Sequence, residues 1–351
     1  MADSKSKEAV TIQTIAKLAN VSHTTVSRAL NGSSSVKPET RRKIERIAKE
    51  AGYVPNFNAR RLVTHRSYNI GVFFSNLNGG TSASFLSTTI ETMEKLLSAS
   101  YTFSVGSIEK EHAADKLSKQ NYDGILVMSQ SAADDEFIER ARQQKIPTVV
   151  LNRFVDNPEI DNFAIDEKLG LRLATEYAIR MGHRQFALIE GVEKFASTQL
   201  RTAGFKEALK THSIDPDSVI YKHDGDYRPA GGNVEMRQIL SSGKVPTCVI
   251  CENDDMAIGA INACSEFGYR VPDDISVIGF DDMPYSQYLT PELTTVRKPT
   301  ETMIQKGIKR LLEIIEKPAV VEPVRRIIDP EIIVRSSVKK LNWANQKTLC
   351  R

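Results

Sequence analysis

A stripe of hydrogen-bonding side chains near the start of the chain is the first feature that could do chemistry. Its members lie at positions i, i+1, i+4 and i+5 of a short segment: His23, Thr24, Ser27 and Arg28. This spacing places them on one face of a helix. The face can donate and accept hydrogen bonds to another molecule. The alternative is a helical corner with a solvated face.

Three short helices are predicted to position this stripe. The first follows a cap at Thr11, and its apolar residues recur at helical spacing: Ile12, Ile15, Ala16 and Ala19. The second follows a cap at Ser22 and turns its apolar face toward the first. The third covers residues 38–51, with proline at its first position and Gly52 suited to a left-handed C-terminal cap.

The distribution of charge favours a nucleic-acid partner for this region. Residues 1–66 contain 13 Lys/Arg and 5 Asp/Glu, a net charge of +8, whereas the whole chain has a net charge of +3. The remaining residues therefore have a net charge of −5. Basic character confined to one end is typical of a segment that neutralises phosphates.

The first two helices, joined by a tight turn, fit the helix-turn-helix geometry, in which the second helix enters the major groove. The region resembles the DNA-binding head of the LacI/GalR family of bacterial repressors in several motifs: Thr11-Ile12, Ile15-Ala16, Val21-Ser22, Thr25-Val26-Ser27-Arg28, Leu30-Asn31, Pro38-Glu39-Thr40-Arg41 and Gly52-Tyr53-Val54-Pro55-Asn56. The resemblance implies that residues 10–54 form this head and that His23 and Thr24 read base edges. It also implies that six residues hold phosphate or support the helix: Thr11, Ser22, Thr25, Ser27, Arg28 and Asn31.

Residues 55–64 are interpreted as a hinge. Asn56 can cap a helix, but about two turns are too few for an isolated helix to be stable in water. In the resembled family this segment becomes a hinge helix in the minor groove when it pairs with its dimer mate. The resemblance therefore implies DNA contacts from Asn56 and Ala59, and a wedge between base pairs from Leu62. The alternative is a basic linker with an incidental leucine.

Residues 68–340 alternate short apolar runs with helical segments. The predicted strands cover 69–74, 102–105, 124–128, 148–151, 186–189, 248–251 and 275–280. The predicted helices cover 85–99, 134–144, 167–181, 200–211, 235–240 and 254–267. This alternation predicts parallel sheets covered on both faces. Two series, split near Ile165, indicate two doubly wound lobes.

The late segments 293–296 and 327–335 are predicted to cross back between the lobes. The N-lobe is accordingly expected at about 68–165 and 294–322. The C-lobe is expected at about 166–290 and 323–340. Together with the family resemblance, these patterns imply the fold class: a small all-α helix-turn-helix head with a hinge helix, joined to an α/β body of two doubly wound parallel-sheet lobes like a periplasmic binding protein.

Polar residues follow several of the predicted strands. Asn152, Asn253 with Asp254, and Asp281 with Asp282 each come directly after an apolar run. Ligands of open parallel sheets bind beyond the carboxyl ends of the strands, so these residues are candidates for a site. Each could instead cap the next helix or turn, and capping is favoured for Asp254 and Asp282.

The resemblance continues through the body in several motifs: Gly182-His183-Arg184, Gly204-Phe205, Gly225-Asp226-Tyr227, Asn253-Asp254, Val271-Pro272-Asp273-Asp274-Ile275, Gly279-Phe280-Asp281-Asp282 and Leu293-Thr294-Thr295-Val296. It implies that Arg201, Asn253 and Asp281 bind a small-molecule effector and that Tyr227 stacks on it. Phe85 and Asn152 complete the predicted effector site. These groups suit the hydroxyls and apolar face of a sugar or a base.

Two departures from the family pattern concern the ligand. The segment 75–84 is longer than the family's usual loop, and Ala83-Ser84-Phe85-Leu86 replaces its Asn-Pro-Phe-Phe wording. Asn152 stands where aspartate is common. The ligand of a well-known member therefore cannot be carried over to this chain.

Several other classes of protein are disfavoured. Cys248 and Cys251 spell C-x-x-C inside an apolar run without a second pair or a nearby histidine, which favours core cysteines over a metal or redox site. No cofactor is expected. No apolar run of about 18 residues and no signal segment is found, which favours a cytoplasmic protein, nucleoid-associated when it is bound to DNA. The adjacent carboxylates Asp281-Asp282 and Asp134-Asp135 rarely converge on a substrate, so no catalytic residue is assigned.

The sequence is therefore interpreted as a transcriptional repressor. We expect a homodimer on a near-palindromic double-stranded operator, with affinity controlled by a small molecule, a sugar or sugar derivative. The eleven residues after Lys340 contain no heptad leucines, which disfavours a terminal coiled coil. Two alternatives remain: a regulator of the same fold controlled by a protein partner, and a sugar-active enzyme.

Overall fold

The computed structural model describes residues 10–30, 35–53, 66–77, 79–97, 101–109, 114–222, 225–317 and 322–341. The chain divides into two compact units, Met1–Arg66 and Ser67–Arg351. We call them the head and the body, and each is described by itself. The predicted hinge at 55–64, with Asn56, Ala59 and Leu62, lies outside the described residues, as does Asn31.

The described part of the head contains three α-helices: α1 (Ile12–Ala19), α2 (His23–Leu30) and α3 (Pro38–Glu50). The Thr11 hydroxyl accepts a hydrogen bond from the Thr14 N–H at 3.3 Å and so caps α1. The Ser22 hydroxyl caps α2 in the same way, through the Thr25 N–H at 3.1 Å. Both caps are confirmed, and each satisfies a backbone donor that the helix itself leaves without a partner.

The three helices of the head meet at one small apolar core. Ile15, Val26 and Ile44, one from each helix, are fully buried. Gly52 has φ +66°, the left-handed conformation expected of the residue that ends α3. Burial of these apolar faces leaves the polar stripe of α2 on the outside.

The first lobe of the body is built on a six-stranded sheet. Its strands are β1 (Asn69–Phe74), β2 (Thr102–Ser107), β3 (Gly124–Met128), β4 (Thr148–Asn152), β5 (Asp161–Ile165) and β11 (Arg325–Ile328). Their order is β11-β5-β4-β3-β1-β2, and every neighbouring pair is parallel. Its helices are α4 (Ala83–Leu96), α5 (Asp135–Gln143) and α10 (Thr300–Glu316).

The second lobe has a six-stranded sheet of similar design. Its strands are β6 (Phe186–Ile189), β7 (Ile220–Lys222), β8 (Cys248–Cys251), β9 (Ser276–Asp281), β10 (Thr294–Arg297) and β12 (Glu331–Ile333). Their order is β12-β10-β9-β8-β6-β7, and only the β10–β12 pair is antiparallel. Its helices are α6 (Glu167–Arg180), α7 (Ala196–Thr211), α8 (Pro229–Ser241) and α9 (Asp254–Glu266).

The fold class is confirmed, but the last two crossings between the lobes were placed wrongly. The prediction assigns 294–322 to the first lobe, whereas β10 pairs with β9 of the second sheet. It assigns 323–340 to the second lobe, whereas β11 pairs with β5 of the first sheet. The chain therefore crosses near Lys298 and again near Asp329. A strand's own residues specify which faces it buries, not which sheet it joins.

Each sheet is buried on both faces. In the second lobe, Val249 and Cys251 face one apolar cluster while Cys248 and Ile250 face the other. Cys248, Cys251 and Cys264 are free and buried, which confirms that they are core cysteines, and Cys350 lies outside the described residues. Within the described ranges, no helix is long and apolar enough to cross a lipid bilayer.

Candidate functional site

The outward face of α2 carries the residues predicted to read DNA. His23, Thr24 and Arg28 are exposed, while Val26 and Ala29 on the opposite face are buried. Thr25 and Ser27 are half-buried at the border between the two faces. The stripe is therefore available to a partner and is not needed for the core of the head.

The two capping residues are also exposed on the head. Thr11 and Ser22 are exposed, and the Ser22 hydroxyl lies 2.8 Å from the Thr25 hydroxyl. Helix N-termini suit phosphate because their backbone N–H groups carry a partial positive charge. Lys43 of α3 donates to the Ala19 carbonyl at 3.0 Å and so ties α3 to the end of α1.

A cleft between the two lobes of the body gathers all six residues of the predicted effector site. They are Phe85, Asn152, Arg201, Tyr227, Asn253 and Asp281, and Lys298, Gln130, Ser82, Ser197 and Gly80 line the cleft with them. The space between these side chains is about 40 Å³. This volume holds only a few water molecules.

Arg201 occupies the centre of the cleft wall. It projects from α7, is 3% exposed, and lies over the Phe280 ring at 3.8 Å. Its Nε donates to a Glu167 carboxylate oxygen at 2.8 Å, and Nη2 lies 2.7 Å from the same oxygen. Its Nη1 donates to the Glu252 carbonyl. Burial opposes the charge, but Glu167, Tyr227 and Asp281 raise the pKa of Arg201 above its usual value.

Lys298 is a cleft residue that the sequence analysis did not select. It comes directly after β10, and its side chain is 7% exposed. Its Nζ lies 3.1 Å from a Glu167 oxygen and donates to the Asn152 side-chain oxygen at 2.8 Å. Its position after a strand was an available signal, but Arg297-Lys298-Pro299 has the composition of a solvated loop.

Glu167 binds both cations of the cleft. It is the first residue of α6, directly after the first crossing between the lobes, and is 2% exposed. Burial raises the pKa of its carboxyl, but Arg201 and Lys298 lower it more, so the pKa lies below its usual value. The carboxylate is therefore ionised. It joins Arg201 of the second lobe to Lys298, which lies where the chain crosses between the lobes.

Tyr227 and Asn253 hold each other in place. The Asn253 side chain caps α9 by accepting from the Met256 N–H at 2.8 Å, and it donates to the Tyr227 carbonyl at 3.1 Å. The Tyr227 ring is stacked on Phe195, with 6.2 Å between centroids and 11° between planes. Its hydroxyl lies 2.7 Å from that of Thr198. One face of the ring is thus already covered by protein, although the ring was expected to stack on the ligand.

Asp281 is the last residue of β9 and has φ +114°. Its Oδ1 lies 3.8 Å from Nη2 of Arg201. Burial raises the pKa of its carboxyl to about 6, although Arg201 and Lys298 favour the charge. The next residue points elsewhere, since Asp282 pairs with Arg297 at 2.7 Å and with Arg335 at 2.6 Å. The two adjacent carboxylates therefore do not converge on one substrate position.

Two of the strand-end aspartates have structural roles other than the expected capping of the next helix or turn. Asp254 accepts from the Met283 N–H at 2.8 Å and from the Ser286 hydroxyl at 2.7 Å, and so fixes the turn after β9. Asn253 takes the capping position of α9 instead. Asp282 forms ion pairs, as described above. Capping was therefore the wrong interpretation of both aspartates.

Glu252 is a second residue that the sequence analysis missed. It is fully buried behind Arg201 and Tyr227, and its carboxyl accepts from the Gly191 N–H at 2.9 Å and the Thr202 hydroxyl at 3.2 Å. Burial raises its pKa to about 8, and nearby Glu190 adds to the effect. Glu252 was hidden because Cys248–Cys251 ends immediately before it and a buried acid is rare.

Comparison with known proteins places both units in known families. Residues 11–56 match the family "Bacterial regulatory proteins, lacI family", and residues 175–338 match "Periplasmic binding protein-like domain". The chain is similar to the probable HTH-type transcriptional repressor ExuR of Bacillus subtilis (strain 168), at 45% identity over 95% of this chain and 99% of that protein.

Two solved structures have the same fold. One is the Lac repressor dimer bound to operator and the anti-inducer ONPF, with a TM-score of 0.76 and 28% identity over 95% of this chain and 100% of that chain. The other is the transcriptional regulator CelR in complex with cellobiose, with a TM-score of 0.67 and 29% identity over 93% and 99% of the two chains.

Proposed function

We propose a function from the premise that this chain belongs to the lacI family of bacterial regulatory proteins. Its head binds a near-palindromic operator as part of a homodimer. A sugar or sugar derivative in the body cleft controls this binding. As a member of that family it is a DNA-binding transcriptional repressor with a small-molecule effector, and not an enzyme. Its site of action is the cytoplasm, and we expect nucleoid association while it is bound to DNA.

The observation that carries the proposal is the cleft itself. Six residues spread over about 200 positions of sequence line one space between two lobes. Two aromatic rings, two amides, a carboxylate and a guanidinium supply the apolar and hydrogen-bonding surfaces that a sugar ring requires. CelR, of the same fold, is known with cellobiose, which favours a carbohydrate over other small molecules.

The contacts across the cleft provide a mechanism for control. Lys298 joins the Asn152 side chain of the first lobe to Glu167 and, through it, to Arg201 of the second. An effector that replaces or reinforces these bonds changes the relative stability of the open and closed lobes. Because a ligand shifts a conformational equilibrium only through its difference in affinity between the states, these residues determine the direction of the response.

We assign the DNA contacts to the exposed face of the head. His23 and Thr24 read base edges, while Arg28, Ser27, Thr25, Ser22 and Thr11 hold phosphate or support α2. The same assignment for Asn31, Asn56, Ala59 and Leu62 rests on the sequence alone.

The effector is tested by a thermal-shift screen of the full chain with neutral sugars, acidic sugars, phosphosugars and nucleosides. A ligand that binds only the folded state raises its melting temperature. The matched control is Asp281→Asn, which keeps the shape of the cleft and removes one acceptor charge. A carbohydrate that shifts the parent and not the variant supports the site. No shift with any class would favour regulation by a protein partner instead.

The hinge is tested by Leu62→Ala. Removing the wedge should lower specific operator affinity and DNA bending, while weak, salt-sensitive binding persists. Effector affinity without DNA should hardly change. Operator titrations with and without effector measure the first effect, and unchanged operator affinity would rule out a minor-groove role for this leucine.

A further inference from the structure

A groove separate from the cleft lies at the outer edge of the first sheet. Helix α10 packs over β3, β4 and β5, and the sheet continues past the helix to β11. The space between α10 and β11 has a volume of about 520 Å³. Its floor is apolar, formed by Phe163, Val324 and Ile328. None of these residues lines the effector cleft.

The strand that borders this groove has an open edge. β11 is the outermost strand of its sheet, and within the described residues it pairs only with β5. The carbonyls of Val324 and Ile328 accept from β5 and the residue after it. Since bonding directions alternate along a strand, the backbone groups of Ile327 point outward, and its side chain is 53% exposed. Such an edge can accept another strand.

The rim of the groove is basic. Lys306 and Lys309 of α10 and Arg326 of β11 are exposed around it, as is one acid, Asp329, and no acidic side chain of the described ranges forms an ion pair with the three cations. The nearby acid Glu313 is already paired with Arg310 at 3.1 Å, and Arg310 is held by Asp161 at 2.6 Å. A basic groove is unexpected on a body whose net charge is −5.

We propose that this groove binds an extended acidic segment of a partner protein, which adds a strand to the free edge of β11. Alternate side chains of such a strand face the groove. The acidic residues of the segment contact Lys306, Lys309 and Arg326, and its apolar residues cover the floor. The segment would give the repressor a second input besides the effector.

The charge pattern and the shape argue against two other occupants. Pairing of a second copy of this chain through the same edge would bring two rims with exposed cations together, which like-charge repulsion disfavours. Duplex DNA neutralises surface cations through its phosphates but leaves an apolar floor uncovered. An acidic peptide satisfies both the rim and the floor.

The proposal is tested by selecting randomised twelve-residue peptides from a display library on the full-length protein. Enriched peptides are then synthesised, and their affinities are measured by fluorescence anisotropy. We expect peptides with acidic residues at alternate positions. Their affinity should fall at least tenfold in Lys306→Glu/Lys309→Glu and in Ile327→Pro, which removes the outward N–H. It should be unchanged in Ile327→Thr and in Lys210→Glu/Lys244→Glu, a matched charge reversal on exposed lysines of the second lobe.

Backbone pairing has its own readout, because peptide binding should slow hydrogen exchange of the Ile327 amide. The proposal is overturned if no acidic peptides are enriched, if the peptides bind the groove variants like the parent, or if non-operator duplex DNA displaces them. Operator and effector titrations of the same variants should match the parent. Their failure would concern the proposed function and not this groove.

Discussion

The outer face of the head and the cleft of the body use similar side chains under opposite conditions. His23, Thr24 and Arg28 are exposed, and the core of the head is built from other residues. Arg201 and Glu167 are almost completely buried, and each depends on the other for its charge. In the head, DNA recognition can therefore change without a change in stability. In the cleft, a substitution that changes ligand recognition also changes stability.

The physical reason is the cost of burying charge. An exposed side chain exchanges water for a partner when the partner arrives, so it hardly contributes to the folded state beforehand. A buried ion pair must be complete before any ligand binds, because an unpaired charge in the interior is strongly destabilising. The substitutions below test this difference, from the largest expected effect to the smallest.

Arg201→Ala should have the largest effect. It leaves Glu167 buried with Lys298 as its remaining cation, so the free energy of unfolding should fall by about 3–5 kcal/mol. Effector affinity should fall at least about tenfold, since polar groups of the ligand lose a buried partner. Denaturant unfolding and calorimetry measure the two effects.

The control for this variant is Arg142→Ala, which removes an exposed arginine paired with Glu139 and Glu159. We expect little change in its stability. If Arg201→Ala lost effector affinity with unchanged stability, the cleft would behave like the head, and the comparison would fail.

The head should give the opposite pattern. Replacing both His23 and Thr24 with other residues should change which operator is preferred. Each good contact to a base contributes about 1–3 kcal/mol of discrimination between operator sequences. Arg28→Ala should weaken binding to all sequences alike. The melting temperature should stay at the parent value in both variants. Operator selection from a random library checks the first result, and an unchanged preferred site would contradict the assignment.

Glu252 should give the smallest effect over one pH unit, visible as a dependence of stability on pH. Its pKa is raised by burial to about 8, so the folded state keeps a proton that the unfolded chain loses above about 4.5. Stability is therefore lost as the pH rises through this window, by on the order of 1 kcal/mol per pH unit. Glu252→Gln should remove this loss, and denaturant unfolding between pH 5.5 and 8.5 measures it.

The comparison variant for Glu252 is Glu316→Gln, which changes an exposed glutamate at the end of α10. Its pH dependence should match that of the parent. A parent-like slope in Glu252→Gln would show that other groups cause the dependence.

The sequence was most informative where one local pattern decides the structure. The bounds predicted for β1, β3, β6 and β8 match the structure, because a short apolar run between breakers permits little else. Helix α10 was missed even though its buried residues have helical spacing: Met303, Ile304, Ile308, Leu311 and Ile315. The signal for this helix was therefore present in the sequence.

Other features depend on contacts between distant parts of the chain. Nothing in Thr294–Arg297 or Arg325–Ile328 specifies a partner sheet, so the two late crossings could not be placed. Lys298 became a cleft residue only because of where its strand lies. The six effector residues came from family resemblance and strand ends, and the sequence could not show that Arg201 is already occupied by Glu167.

The position of β11 has a consequence for the order in which a new chain can fold on the ribosome. The first lobe receives helix α10 and strand β11 only after β6 to β10 and α6 to α9 of the second lobe have been synthesised. At about 5–20 residues per second, on the order of ten seconds or more separate the emergence of β5 from that of β11. During this interval the apolar face beneath α10 has no cover, and Ile308 and Leu311 must reach it before another hydrophobic surface does.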